Sequence, residues 1–281
     1  MNRLNKYQLY MKNLGQRHFF HMVTPSPWPF FTATNVFFIA LAAIMYMHNI
    51  TSGGLYLFLG FLNFFFILFL WFRDIIREGT FEGMHTKIVQ KNLKFGFALF
   101  ILSEIMFFFG FFWAFFHNAL SPAVEIGCIW PSVGINPIYP YKMPLLNTVI
   151  LLLSGVTITV CHAAIRCGDA LNLYKYFFYT LCLAFLFLFI QIYEYKTAAF
   201  TISDGIYGSV FYMLTGFHGF HVLVGACFIL VCYMRSIFGH FTTVHHVGFE
   251  CASWYWHFVD VVWLFLFLFV YCWGTWGYNF N

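Results

Sequence analysis

The residues of this chain with the most chemical potential stand inside apolar runs. Glu104 has Phe107, Phe108 and Phe111 as its neighbours at helical spacing. About 11 residues into its helix, it lies roughly 16 Å along the axis, near the middle of a hydrocarbon layer about 30 Å thick. Desolvation at that depth disfavours the charged carboxylate, so Glu104 is expected to be protonated or water-linked near neutral pH. The structural alternative is a neutral acid bonded to a neighbouring helix, because one carboxyl without partners makes no proton path.

A second deep acid, Asp260, recurs with Ser253 and His257 at three- and four-residue spacing, with Trp256 and Trp263 on the adjoining strip. That pattern predicts one face turned towards protein. Upstream, Gly216-Phe217-His218-Gly219-Phe220-His221 places two histidines three apart among glycines that permit close backbone approach. A polar contact between these two segments is expected.

Metal or haem ligation needs more than paired histidines. Bis-histidine haem requires ligands from facing helices at matched depth, and zinc or copper requires three or four convergent donors. His218 with His221, and His245 beside His246, offer pairs without the cysteine, methionine or carboxylate to complete a site. The expectation is structural hydrogen bonding, with no metal and no catalytic residue in this chain. The eight cysteines, most of them in apolar segments and none in a Cys-x-x-Cys pair, read as small buried hydrophobes.

A further group is cationic. Arg73, Arg77 and His85 follow one apolar segment, and Arg235 and His240 follow another. Cations at a membrane boundary can clamp lipid phosphates while Phe-rich walls hold acyl chains; the plainer reading is a topology signal.

These groups need long apolar elements to carry them. The 281 residues are 62% hydrophobic and 9% charged, with 42 phenylalanines, against roughly 25% charged in soluble domains. One aqueous core could not hide that much apolar surface. Stretches of about 20 apolar residues predict seven spanning helices at 28–47, 55–72, 93–116, 145–165, 174–195, 206–234 and 248–273, an all-α single polytopic membrane domain over 1–281. Pro122, Pro131, Pro137, Pro140 and Pro144 interrupt the longest break. Of the 14 Lys and Arg residues, only Lys142 and Lys196 fall on the side opposite the N-terminus, so the N-terminus is expected inside and the C-terminus outside. The net charge of +4 is therefore topological, and no basic stripe suggests nucleic acid. No cleavable secretory signal or transit peptide is expected from the first 27 residues. The short link after the first helix and the long third loop fit helices 1 and 2 as a pair apart from helices 3 to 7.

Several stretches resemble subunit III of the haem-copper cytochrome c oxidases. They are HMVTPSPWP (21–29), RDIIREGTFEGMHT (73–86), SEIMFFFGFFWAFFH (103–117), PLLNT (144–148), SGVTIT (154–159), FTISDGIYGSVFYMLTGFHGFHV (200–222) and HHVGFECASWYWHFVDVVWLFLF (245–267), in the family's order. The resemblance implies a subunit of the terminal respiratory oxidase, which couples cytochrome c oxidation and dioxygen reduction to proton pumping. It implies no haem or copper in this chain, those centres lying on partner subunits. It also implies packing beside subunit I and phospholipid in a V-shaped cleft between helices 1–2 and 3–7. Arg77, Glu78, Thr80, His85, Arg235 and His240 match family positions around lipid head groups, anionic or zwitterionic, and Glu104 matches the carboxyl near the cleft. The implied roles are sustained proton uptake and protection from turnover inactivation. Three positions depart from the family pattern: Phe72 for a second Trp, Met84 for the first His of a pair, and Ala163 after His162.

The Phe content and the expected lack of an import signal fit an organellar gene product in the mitochondrial inner membrane, inserted from the matrix side. A seven-helix receptor or retinal pump is disfavoured by the charge bias and by the lack of a Schiff-base lysine in the seventh segment. A stand-alone transporter would show broken helices in paired halves, and polar groups are expected only in helices 3, 6 and 7.

Overall fold

The structure, a computed structural model, describes residues 18–278. The cationic N-terminal residues Arg3, Lys6, Lys12 and Arg17 and the last residues of the tail lie outside them. Seven helices, each long and apolar enough to cross a membrane, occupy the described residues, with no strand among them. They are α1 (Trp28–Met47), α2 (Gly53–Thr80), α3 (Lys87–Leu120), α4 (Met143–Cys167), α5 (Ala170–Thr197), α6 (Gly205–Ile237) and α7 (Val247–Thr275).

The number and order of helices match the sequence expectation, and α1 matches it at both ends. The other helices run past their apolar cores. α2 continues through Arg73–Thr80 and α3 starts at Lys87 rather than 93, because Arg, Lys and Glu are good helix formers that a hydropathy criterion excludes. Within α7 the ladder widens to a π-helix over Leu266–Cys272 before a closing 3₁₀ turn at Trp273–Thr275.

Local chemistry explains the breaks. Pro27 precedes α1 and Pro144 sits in the first turn of α4, where proline's missing N–H costs nothing. α4 ends on Gly168 in the left-handed conformation, φ 75°, and Asp169 caps α5 by accepting from the Asn172 N–H at 3.2 Å. Those hydrogen bonds hold the Asp169 carboxyl below its ordinary pKa. The proline-rich stretch before α4 is a loop holding one 3₁₀ turn, Val124–Ile126.

Two compact units divide the chain, Met1–Leu93 and Lys94–Asn281, with α3 contributing residues 87–93 to the first. In the first unit α1 packs on α2 through small residues: a Cβ on Gly53 would meet the Tyr46 backbone nitrogen at 2.7 Å, and one on Gly60 would meet Ile39 at 2.9 Å. Outward side chains such as Phe65 and Phe69 remain exposed, as expected of lipid-facing surface.

The second unit holds an aromatic core of Phe115, Phe177, Phe187, Tyr207, Phe211, Trp256 and Trp263. α4 packs on α5 and α7, and α6 packs on α5 and α7. Two indoles tie α4 to α7: Trp256 Nε1–H donates to Ser154 Oγ and Trp263 Nε1–H donates to Thr148 Oγ1, each at 2.9 Å. α3 joins through Phe97, Phe108 and Phe115, whose rings meet Phe228, Phe258 and Trp273.

All eight cysteines are free thiols. Cys161, Cys232 and Cys251 are buried as the sequence suggested, but Cys182 and Cys227 face outward. In a membrane helix an apolar residue can meet hydrocarbon instead of protein, so hydrophobicity does not imply burial within the chain.

Candidate functional site

Glu104 does have a partner. His221 on α6 presents Nε2 at 2.8 Å from Glu104 Oε2 on α3, and His221 Nδ1 lies 2.6 Å from the Phe217 carbonyl. A carbonyl can only accept, so Nδ1 carries a proton. The Nε2–Oε2 link must then hold one further proton, either on a neutral carboxyl or on an imidazolium. Phe107, Phe108, Tyr255 and Phe258 surround the imidazole with ring centroids 5.0 to 6.4 Å away.

His218, one turn earlier, is buried and donates from Nε2 to the Val259 carbonyl of α7 at 3.2 Å. This is the α6–α7 polar contact expected from the spacing. The neighbouring glycines do not serve it: a Cβ on Gly216 or Gly219 would meet nothing within 4 Å among the described residues. Close approach on α6 belongs to Gly225, against the Trp256 ring at 2.9 Å, and to Gly208, against the Thr201 carbonyl.

On α7, Ser253 and Asp260 are buried and His257 is not; its side chain is 46% exposed. The shared inward face is thus corrected at His257, because a helix turns by 100° per residue and position 257 falls at the edge of the strip. His257 Nδ1 is 3.7 Å from Asp260 Oδ2, and its Nε2 is 3.4 Å from Thr159 Oγ1 on α4. Gly155 leaves the room for Asp260, since a Cβ there would overlap Oδ2.

His257 also lines an open groove of about 970 Å³ between α3 and α7. Its walls are Ile101, Phe108, Phe112, Phe116, Phe265 and Phe269 among others, so its chemistry suits hydrocarbon chains.

The cationic positions fall in two places, one in each unit. In the first, Arg73, Arg77, Glu78 and Thr80 occupy the last two turns of α2 and His85 follows in the loop before α3. Arg73 is engaged locally: it binds Asp74 at 2.8 Å, and Asp74 also accepts from Trp28 Nε1 at 2.7 Å. His21, Glu78 and His85 bring donor atoms within 4.8 Å of one another. A Cβ on Gly79 would collide with His85 Nδ1 at 2.6 Å, so this glycine admits the imidazole.

In the second unit, Arg235 on the last turn of α6 lays its guanidinium over Phe241 at 4.6 Å. His240 follows in the loop before α7, its backbone N–H bonded to the Arg235 carbonyl at 3.0 Å. Burial, then Arg235, hold the pKa values of His240 and His245 below the ordinary imidazole value.

Two polar clusters escaped sequence reasoning. Glu194 on α5 is buried and accepts from Tyr271 at 2.5 Å and from Gln191 at 3.1 Å, while Gln191 accepts from Asn147 of α4 at 3.3 Å. Thr157 and Thr180 join the same two helices at 2.7 Å. Buried polar groups therefore occur on α4 and α5 as well as on α3, α6 and α7. Gln191 and Glu194 at i, i+3 near a helix end were the available signal. The second cluster joins Lys94 of α3 to Glu250 of α7, beside His246 and His162.

Against known proteins, the sequence profile of the family described as cytochrome c oxidase subunit III matches residues 18–275. The chain is 55% identical over 263 residues to cytochrome c oxidase subunit 3 of Chondrus crispus, covering 92% of this chain and 95% of that protein. It is 52% identical to the subunit 3 proteins of Prototheca wickerhamii and Arabidopsis thaliana, again over 92% of this chain and over 99% and 98% of theirs. Identity at this level across seven membrane spans, with the pairs of Glu104 and His218 placed inside matched segments, leads to one assignment: the chain belongs to the cytochrome c oxidase subunit III family.

Proposed function

We propose that this chain acts as a non-redox core subunit of a mitochondrial inner-membrane cytochrome c oxidase, with its N-terminus on the matrix side. In this reading it binds phospholipid, steadies subunit I and supports proton uptake. The haem and copper of partner chains carry electrons from cytochrome c to dioxygen.

The observation that carries the lipid role is the cluster at the end of α2, where His21, Glu78 and His85 converge within 4.8 Å and Arg77 immediately precedes Glu78 on the same turn. A zwitterionic head group needs an anion for its amine and cations or N–H donors for its phosphate, and this cluster supplies both. In the second unit, Arg235 and His240 supply phosphate-binding chemistry at a helix end, and the groove between α3 and α7 offers an apolar wall for acyl chains. Proton support rests on the one-proton link between Glu104 and His221.

The test is phosphorus analysis of the purified oxidase carrying Glu78→Gln or Arg77→Ala together with Arg235→Ala, alongside its lifetime during turnover. The proposal expects at least one phospholipid fewer per assembly and earlier inactivation. Unchanged lipid content with an unchanged lifetime would refute it.

A further inference from the structure

We propose that the groove between α1 and α2 receives a transmembrane helix of another oxidase subunit, and that a hydrogen-bonding side chain of that helix pairs with Asn35 and Asn63 at the middle of the bilayer. The inference rests on the chain being built into an oxidase.

The hairpin brings the two amides to one height. Gly53 meets Tyr46 and Gly60 meets Ile39, seven residues apart on each helix. The same antiparallel register sets Asn35 level with Asn63 and Phe64. Counted from the turn that joins the helices, Asn35 lies roughly 18 Å down α1 and Asn63 roughly 15 Å down α2. Both depths fall near the centre of a hydrocarbon layer about 30 Å thick. Sequence reasoning sought ionisable groups and expected midplane polarity only in the third, sixth and seventh helices; uncharged amides escape that search.

Phe31, Thr34, Asn35 and Phe38, three or four residues apart on α1, form one wall of the groove, and Gly60 and Asn63 stand on the other. Its volume is about 420 Å³. Asn35 is buried, and its Oδ1 has no hydrogen-bond partner among the described residues. Thr34 does not supply one, because its hydroxyl proton goes to the Phe30 and Phe31 carbonyls of its own helix. Asn63 is exposed on the groove.

An acyl chain would fill this furrow and leave the Asn35 acceptor unpaired, since it carries no donor. Bulk water does not reach this depth. A helix meets both needs: its apolar side chains fit between Phe31 and Phe38, and one Asn, Gln, Ser or Thr donates to Asn35 Oδ1 and accepts from the Asn63 amide. Side chains of these types are the ones that join membrane helices across small-residue contacts such as Gly60.

The test is photocrosslinking in the purified oxidase, with p-benzoylphenylalanine in place of the half-exposed Phe31 and the adduct sequenced by mass spectrometry. Haem in the preparation verifies the reading on which the inference rests; its absence overturns both, whereas the remaining results bear on the groove alone. The expected adduct is a membrane-spanning peptide of another subunit with Asn, Gln, Ser or Thr near its middle. An adduct with lipid alone or with a second copy of this chain, or no adduct, overturns the proposal. Asn35→Leu with Asn63→Leu should retain that subunit roughly 8-fold less tightly during detergent titration, as two membrane hydrogen bonds of average strength imply. Phe65→Leu, exposed and outside the groove, should leave retention unchanged. Equal retention by wild type and the double variant overturns the proposal; if the double variant does not assemble, the Phe31 adduct and Asn63→Leu alone decide.

Discussion

His221 Nε2 and Glu104 Oε2 are 2.8 Å apart, between helices 117 residues separated in sequence. Because the Phe217 carbonyl holds the proton on Nδ1, the link needs a donor on one side. Glu104→Gln keeps one, its amide N–H, and should cost less than ~1 kcal/mol. Glu104→Ala leaves a buried ring nitrogen without a partner and should cost about 1–3 kcal/mol. Thermal denaturation of the two variants in the assembled oxidase separates them; equal losses would show that the bond carries no weight.

Gly155 faces Asp260 with no space for a methyl group, whereas a Cβ on Gly216 would meet nothing within 4 Å among the described residues. Gly155→Ala should therefore destabilise by about 1–3 kcal/mol through overpacking. Gly216→Ala should be neutral or mildly stabilising through helix propensity. Assembly yield and melting temperature provide the comparison, and a neutral Gly155→Ala would contradict the packing.

Tyr271 donates its hydroxyl to Glu194 inside the core. Tyr271→Phe removes that donor and leaves a buried carboxyl supported by Gln191 alone, at a cost of about 1–3 kcal/mol. Glu194→Gln with Tyr271→Phe should recover part of the loss, because the second change removes the acid that needed the donor. A double-mutant cycle on unfolding would expose the coupling; strict additivity would count against it.

The loop before α7 should respond to acid. His240 and His245 have folded pKa values below the ordinary imidazole value, first from burial and then from Arg235. Just below about pH 6.5 the unfolded chain binds more protons than the fold, so their penalty is absent at higher pH and grows as pH falls through that value. The melting temperature of His240→Gln with His245→Gln should fall less between pH 7.5 and 5.5 than that of the wild type. Identical pH slopes would exclude the two imidazoles as the cause.

The helices were readable because twenty apolar residues in succession have few alternatives. Their ends were less so, since Arg73 to Thr80 and Lys87 to Lys91 are helical for reasons of propensity that hydropathy ignores. Glu104 was legible as an anomaly, but its partner was not: nothing local links position 104 to 221, and only the packing of α3 against α6 does so. His257 shows the opposite failure, a correct periodicity whose edge could not be told from its centre. Glu194 escaped because it lies near a helix end, where a charge ordinarily meets water; in the fold it is buried beneath Tyr271.

The indole bonds Trp256–Ser154 and Trp263–Thr148 are seven residues apart on α7 and six apart on α4, running in opposite directions. Along either helix that is roughly 10 Å, or two turns, so the helices are gripped at two heights. Sliding one past the other by a single turn would strand two indole N–H groups where no water can replace their acceptors. The grip also determines which glycine Asp260 confronts. Acid and cavity are thereby kept in step along the bilayer normal, as two dowels align a joint that glue alone would let creep.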